Sequence, residues 1–501
     1  MTAIESMPGA EPRRPPWWAW LLLAAAIATL TGLGFGPCRH DFYLADDFNA
    51  LYAAQRATTL ADAIDLDGAF RLRLIREVIP DFEATSTLLR PITALSLWLD
   101  HLRGGLAPEC FHDTSLLLHA LVALAVAALA FTLTHSFVAA AAAGGIFAVH
   151  PAHAEAVVWI AARADLTVTL CMVAALLAWR RYLDAGGGGR LLLACGAFGL
   201  GLLSKEMAVT VPALALCLWW ARPGPRQHGR PWRGLAALVA TLLAYVALRL
   251  FLVGSFRSYY EAPGGVVGAL GNAVRFVADA LVTAAWTGDR VAHPDWDVLR
   301  CAYGALIATL LLLARAPSLR LVVACGLALA LSTAPVAGWA KLNADGAGTR
   351  LIYPSLVFTT LVLAAAAAHA WRRTRALTAV AVLGLLGTGL LGTRRATEPW
   401  QRAGAEARAI VTQLRTAAAD ADAVILSMDL PATLGPAYLM QNAFPAAAWL
   451  FVRAGLRVDW LPPAQWQTAV VEHREELRAQ PGVRALRWDG AAGVWRTPDL
   501  R

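Results

Sequence analysis

The chain has 501 residues, 58% of them hydrophobic and only 16% charged, with a formal net charge of +8. Soluble domains carry about 25% charged residues, so this composition excludes a soluble globular enzyme and places most of the chain in lipid. The positive charge does not point to nucleic acid, because the arginines are scattered beside apolar stretches and form no continuous stripe.

A helix needs about 20 mostly apolar residues to cross a bilayer. In chain order, such stretches run over 17–36, 111–133, 137–149, 166–179, 191–203, 207–220, 235–253, 301–313, 319–334, 351–371 and 376–391. They predict an all-α polytopic membrane protein with about eleven transmembrane helices. The first stretch exceeds the ~7–15 residue apolar core of a signal peptide and reads as a retained anchor. Arg13 and Arg14, then Arg180, Arg181 and Arg190, then Arg222, Arg226, Arg230 and Arg233, then Arg315 and Arg320, then Arg372, Arg373 and Arg375 fall on one side when the spans alternate. Basic residues are retained in the cytoplasm during insertion, so the N-terminus is expected inside and the C-terminal tail outside.

Between the first two spans, residues 37–110 form an external segment with eleven acids against seven arginines, too long to stay structureless and so expected to fold on the membrane surface. Within it, Leu88, Leu89, Ile92, Leu95, Leu99 and Leu102 recur at helical spacing, which predicts an interfacial amphipathic helix over 86–102. Cys38 and Cys110 bracket the segment and can form a disulfide in an oxidising compartment; the other five of the seven cysteines read as small core residues. Residues 267–286 are apolar, yet the arginine pattern leaves them outside, as a surface or re-entrant helix. The character changes again after the last span. Strands are expected at 424–427, 456–460, 484–488 and 494–496, and helices at 401–416 and 463–479. The chain thus divides into a membrane domain, 1–393, and a small extracytoplasmic α/β domain, 394–501. No internal repeat is visible, and the glycines of 196–201 precede no soluble βα unit, so dinucleotide binding is not expected.

Ionisable residues at the lipid boundary are costly and point to function. Four groups lie at the external ends of the spans. Asp46-Asp47 offers a carboxylate as general base with a neighbour to orient it or to hold a cation. His150-Pro151-Ala152-His153-Ala154-Glu155, followed by Arg163-Ala164-Asp165, has metal-ligand residue types, but it lacks the HExxH spacing and Pro151 interrupts a helical face. Ser204-Lys205-Glu206 sets a point charge suited to phosphate on an apolar floor. Arg350-Leu351-Ile352-Tyr353-Pro354-Ser355 adds a guanidinium able to bind two phosphoryl oxygens. Together they describe a place where an anionic lipid head group meets a hydroxyl acceptor.

In order and spacing, these residues, with Leu89-Arg90-Pro91-Ile92-Thr93, Phe111-His112, Leu118-His119 and Phe147 to Val157, resemble the C-type membrane glycosyltransferases. The resemblance is nearest to the transmembrane and tetratricopeptide-repeat O-mannosyltransferases. It covers 45–214, with an echo at 350–355. It implies inverting transfer of a sugar, mannose in those relatives, from a polyprenyl-phosphate carrier to an extracytoplasmic protein or glycan hydroxyl. Asp47 or Asp46 would be the general base. Lys205, Arg163 and Arg350 would stabilise the leaving phosphate, while Arg90, His150, His153, Glu155, Asp165, Glu206 and Tyr353 would help bind substrate. No metal is required by the resemblance, although Asp46-Asp47 can hold a divalent cation as other members of the fold do. The alanine-rich spans and compact size fit a bacterial source, so the expected setting is a bacterial cytoplasmic membrane with the site facing the periplasm. The chain departs from the family in lacking the repeats, in having Ala162 where a glycine commonly precedes the Arg-Ala-Asp motif, and in having Thr349 where an acid often precedes the late arginine. Two rivals remain open. A flippase or transporter of lipid-linked sugar predicts discontinuous helices and repeats, neither visible in the sequence. A metal-dependent hydrolase would be built on His150, His153 and Glu155.

Overall fold

The structure, a computed structural model, describes residues 15–66, 68–78, 88–221, 230–254, 265–284, 294–315, 318–337, 340, 342, 347–428, 433–440, 443–461, 463–472, 474–479 and 482–497. Arg13, Arg14, Arg222 and Arg226 of the orientation pattern lie outside them. The helices in chain order are α1 (Trp17–Phe35), α2 (Asp46–Arg56), α3 (Leu60–Ile64), α4 (Ala69–Val78), α5 (Pro91–Gly104), α6 (Pro108–Thr134), α7 (Phe137–Ala148), α8 (Ala154–Val158), α9 (Arg163–Ala185) and α10 (Gly188–Leu202). They continue with α11 (Val211–Ala221), α12 (Pro231–Val253), α13 (Gly265–Ala284), α14 (Pro294–Ala314), α15 (Leu319–Ala337), α16 (Leu356–Trp371), α17 (Arg375–Ala417), α18 (Phe444–Phe451), α19 (Pro463–Glu472) and α20 (Arg474–Ala479).

Among the described residues, seven helices are long and apolar enough to cross a membrane, eight if the bent pair α7 and α8 is one span. Three shorter apolar helices, Gly188–Leu202, Glu206–Ala221 and Leu356–Trp371, accompany them. Each of the eleven apolar stretches of the sequence falls on one of these, so the chain is an integral, multi-pass membrane protein. In α1, Ala19, Leu23, Ile27 and Thr31 are buried at i, i+4 spacing, while Trp17, Leu21, Leu22 and Leu33 face outward as lipid-exposed residues do. Small residues let the helices approach: a Cβ on Gly144 would stand 2.5 Å from Ile27 Cδ1. The 265–284 helix packs along α15 and leaves Val267, Leu270, Val274 and Leu281 exposed.

The break between α7 and α8 bends the chain by 54°, a discontinuity that the sequence reading had not placed. Pro151 has no N–H to continue the helix, and His153 N–H, which would serve the Val149 carbonyl in an unbroken helix, turns to the His150 carbonyl at 3.0 Å, so the Val149 carbonyl needs another donor. The hydroxyl of Thr393 on α17 supplies it, 2.8 Å away. Gly389, one turn earlier, lies so close that a Cβ there would be 2.9 Å from the same carbonyl oxygen.

The described residues of the external segment form α2 to α5, and the amphipathic helix starts at Pro91, where proline's fixed φ suits the first helical turn. Its Leu99 and Leu102 remain exposed. Residues 86 and 87 of the expected helix lie outside the described residues. Cys38 and Cys110 are free thiols and form no disulfide. Beyond the membrane, β1 (Ala423–Met428) pairs in parallel with β4 (Arg457–Trp460) and β5 (Val483–Asp489), and β6 (Val494–Arg496) closes the edge antiparallel to β5. A separate hairpin joins β2 (Thr433–Leu434) to β3 (Ala437–Tyr438). The last span and the first helix expected in the tail are one element, α17, 43 residues long. Its outer half carries the C-terminal region, with Trp488 Nε1 donating to Glu406 Oε1 at 3.1 Å and Trp495 Nε1 to the Ile410 carbonyl at 3.0 Å.

The contact at the break is testable. Overpacking a tight contact costs roughly 1–3 kcal/mol, so Gly389→Ala is expected to lower the thermal midpoint in detergent. Gly387→Ala, with no atom within 4 Å of the added Cβ, is expected to leave it unchanged; equal midpoints for the two variants would mean that α17 does not press on the break.

Candidate functional site

The two aspartates at the start of α2 face different ways. Asp47 is buried, and both its oxygens accept backbone N–H groups, Oδ1 from Ala161 at 2.7 Å and Oδ2 from Leu44 at 3.0 Å. Burial pushes its carboxyl up to about 8, against the pull of those two N–H donors. Asp47 therefore clamps the start of α2 to the loop before α9. Asp46 is exposed, yet it is enclosed enough by its surroundings that desolvation raises its carboxyl, while the charge of Arg350 and a hydrogen bond from Asn49 pull it back. Ala45, just before it, has φ 42° and ψ −117°, a strained conformation for a residue with a Cβ.

Arg350 is fixed on several sides. Its Nη1 pairs with Oε1 of the buried Glu155, whose Oε2 accepts the Arg350 backbone N–H at 3.1 Å and the Thr349 hydroxyl at 3.3 Å. Threonine at 349 thus fits the site as a donor to Glu155. The guanidinium lies 4.7 Å from the centroid of the Trp159 ring.

Lys205 is also paired: its Nζ donates to Asp165 Oδ1 at 2.6 Å, with both groups buried. Desolvation lowers its ammonium, Asp165 raises it, and the charges of Arg90 and Arg350 lower it further, so the three cations share one neighbourhood. The turn carrying Lys205 is held against α5, where Ile92 N–H donates to the Leu203 carbonyl at 3.3 Å and the Thr93 hydroxyl to the Ser204 carbonyl at 3.3 Å. Glu206 accepts Arg90 Nη2 at 2.9 Å and lies 3.6 Å from Arg249 Nη1. Two arginines therefore meet one carboxylate.

Arg163 does not join them. It is fully buried and paired with Asp100 at 2.6 Å, and it donates to the Phe111 carbonyl at 2.6 Å. Its donors are engaged by α5 and α6, so its place is in the scaffold and not at a phosphate. The histidines are likewise inward. His119 Nδ1 and Tyr353 Oη are 2.7 Å apart, and His153 packs 4.3 Å from Phe147 and 4.5 Å from Tyr353 between ring centroids. His150 Nδ1 accepts the Ala152 N–H at 3.2 Å.

Among the described residues, no three His, Cys, Asp or Glu side chains converge as metal ligands. At each of the two proposed places part of the donor set is already engaged. Both Asp47 oxygens already accept N–H donors, and Glu155 is engaged by Arg350.

Sequence reasoning missed Asp100, Arg249 and Tyr438. Arg249 had a signal, an arginine inside the apolar stretch 235–253. Asp100 had none beyond its charge. Tyr438 comes from the C-terminal region, and its ring centroid lies 5.0 Å from that of Trp159.

No protein-family model matches the chain. The protein O-mannosyl-transferase Tmtc1 of Drosophila melanogaster is 41% identical over 128 residues, 26% of this chain and 15% of the relative. The human protein O-mannosyl-transferase TMTC2 is 34% identical over 131 residues, 25% of this chain and 16% of the relative. The chain thus matches only about a sixth of the length of these relatives. Among solved structures, ArnT from Cupriavidus metallidurans aligns over 95% of this chain and 94% of its own at 12% identity. The TM-score is 0.51 in the apo state and 0.50 bound to undecaprenyl phosphate. At that identity the likeness shows the fold: the chain has the architecture of the C-type membrane glycosyltransferases.

Removing one partner of a buried ion pair strands the other charge and costs roughly 3–5 kcal/mol. Asp100→Asn is therefore expected to lower thermal stability in detergent strongly by uncompensating Arg163, whereas Arg39→Ala, at the exposed pair with Asp113, leaves it near the parent. An Asp100→Asn variant that melts with the parent would remove the bracing role from Arg163.

Proposed function

We propose that the chain is a glycosyltransferase that moves a sugar, mannose being the first candidate, from a polyprenyl-phosphate carrier to the hydroxyl of an extracytoplasmic protein or glycan. The observation that carries this reading is an exposed carboxylate, Asp46, within electrostatic reach of a guanidinium, Arg350, that Glu155 and Trp159 fix in place. In this scheme Asp46 takes the proton from the acceptor hydroxyl as its oxygen bonds the anomeric carbon from the face opposite the phosphate. The bond from that carbon to the phosphate oxygen breaks, and the leaving polyprenyl phosphate keeps the electron pair. Its growing charge is met by Arg350, Arg90, Arg249 and Lys205, groups held in place before the reaction begins. Asp47 positions Asp46 and does not itself take the proton. The reading needs no metal.

The names of the similar O-mannosyl-transferases and the undecaprenyl phosphate bound by ArnT support this donor chemistry. The arginine pattern supports a site on the extracytoplasmic face, with 394–501 on the same side; in the setting proposed, a bacterial cytoplasmic membrane, that face is the periplasmic one. The hydrolase reading finds less support, because Glu155 is engaged by Arg350 and, among the described residues, no three His, Cys, Asp or Glu side chains converge as metal ligands.

The test is sugar transfer in proteoliposomes from radiolabelled polyprenyl-phosphate-mannose, with other sugars on the same carrier in parallel. Asp46→Asn is expected to lower turnover by about 10²–10⁴-fold, the usual contribution of a general base, at unchanged thermal stability. Asp47→Asn, which turns an N–H donor toward a backbone N–H, is expected to lose stability as well as turnover. A fully active Asp46→Asn would remove the base, and movement of the labelled lipid between leaflets without transfer from any donor would make the chain a flippase.

A further inference from the structure

The C-terminal region reaches the site at one short segment, 437–439. The β2–β3 hairpin turns at Gly435, whose φ of 58° is one that glycine adopts without strain. It delivers Tyr438 beside Arg350: the guanidinium carbon lies 5.8 Å from the Tyr438 centroid and 4.7 Å from that of Trp159. The cation is therefore flanked by two aromatic rings while Glu155 holds its nitrogen end. The next residue, Leu439, accepts through its carbonyl the N–H of Ala45 at 2.9 Å. Ala45 is the strained residue whose backbone sets the direction of Asp46. One segment of the C-terminal region thus touches both the residue that precedes the carboxylate and the cation whose charge acts on it. The contact is braced by α18, where Trp449 packs 4.8 Å from Tyr52 and Phe451 packs 6.0 Å from Phe48, both on α2.

We propose that Tyr438 is a positioning residue for the transfer reaction, its ring holding Arg350 within electrostatic reach of Asp46, so that the site is complete only when the C-terminal hairpin is docked. The inference rests on the transfer reading above. Without the Tyr438 ring the guanidinium keeps Glu155 and Trp159 but loses one of its two aromatic contacts, which widens the range of positions it can take relative to the reacting atoms. A displacement of about 1 Å at a positioning group costs turnover on the order of 10²-fold. A tyrosine that merely packed between two regions would affect melting and leave the turnover of folded protein unchanged.

The experiment compares the full chain with Tyr438→Ala and Tyr438→Phe in proteoliposomes, measuring kcat and the KM for polyprenyl-phosphate-sugar well below each melting temperature. Tyr438→Ala is expected to lower kcat by roughly 10–100-fold while the donor KM stays near the parent's. Tyr438→Phe, which keeps the ring and loses the hydroxyl's hydrogen bond with Arg350, is expected to restore part of the turnover. Should Tyr438→Ala fail to fold, Tyr438→Leu, which fills space without a π face, carries the same expectation. Parent-like kcat in the ringless variant overturns the assignment, as does a loss explained wholly by unfolded protein or a Tyr438→Phe variant as impaired as Tyr438→Ala. A parent that transfers no sugar from any donor sinks the transfer reading itself and the role of Tyr438 with it.

Discussion

Charge in a lipid boundary has to be compensated where it stands, and this constraint shapes the outer end of the helical bundle. Arg163 meets Asp100, Lys205 meets Asp165, and Arg350 meets Glu155, each pair drawing its partners from separate elements. The pairs therefore act as cross-links between α5 and α9, between α9 and the Lys205 turn, and between α8 and the Thr349–Ile352 turn. Pairing is not one-to-one everywhere: Glu206 faces both Arg90 and Arg249, and Asp100 faces Arg103 as well as Arg163. Arg90, Arg350 and Lys205 share one neighbourhood, and this gathering of cations, more than any single one, is what suits the arrangement to a phosphate.

The scaffold that holds these pairs depends on the broken span. Continuing α7 through Pro151 would carry His153 and Glu155 along one helix; the 54° bend instead sets α8 beneath Arg350. The break is affordable because α17 covers the exposed carbonyl with Thr393 and comes close at Gly389. The same helix then leaves the membrane and carries the C-terminal sheet. A contact at the break and a contact at Tyr438 are thus joined through one element, α17 and the region it supports.

Much of this was legible in the sequence. The apolar stretches located the membrane helices because length and composition suffice for that inference, and the strands at 424–427, 456–460, 484–488 and 494–496 lie within or beside β1, β4, β5 and β6. The polar clusters named charges that the structure pairs, Lys205 with Asp165 and Arg350 with Glu155, because buried charge is rare in lipid and needs a partner. Other features depended on partners far away in the chain. Arg163 read as a phosphate ligand until its burial against Asp100 gave it a structural place. The boundary set at 393/394 followed a change to polar residues, but the outer residues of α17 are good helix formers and the helix runs on through Pro399. The β2–β3 hairpin, with strands of two residues each, has no alternating pattern long enough to be seen.

The aspartate doublet shows most directly where pattern stops and geometry begins. Consecutive residues on an α-helix point about 100° apart, since 3.6 residues complete a turn. Of two adjacent carboxylates at a helix start, one can face the protein while the other faces out, and the letters alone do not say which. Here Asp47 turns inward to two backbone N–H groups and is spent on holding α2. Asp46 turns outward toward the field of Arg350. The direction of Asp46 is set less by its own bonds than by its neighbours: Asp47 clamps the turn after it, and the Leu439 carbonyl holds the strained Ala45 before it. A carboxylate aimed in this way is as firmly placed as the two contacts flanking it, one inside the membrane domain and one in the C-terminal region, which is why the two parts of the chain are best understood as a single site.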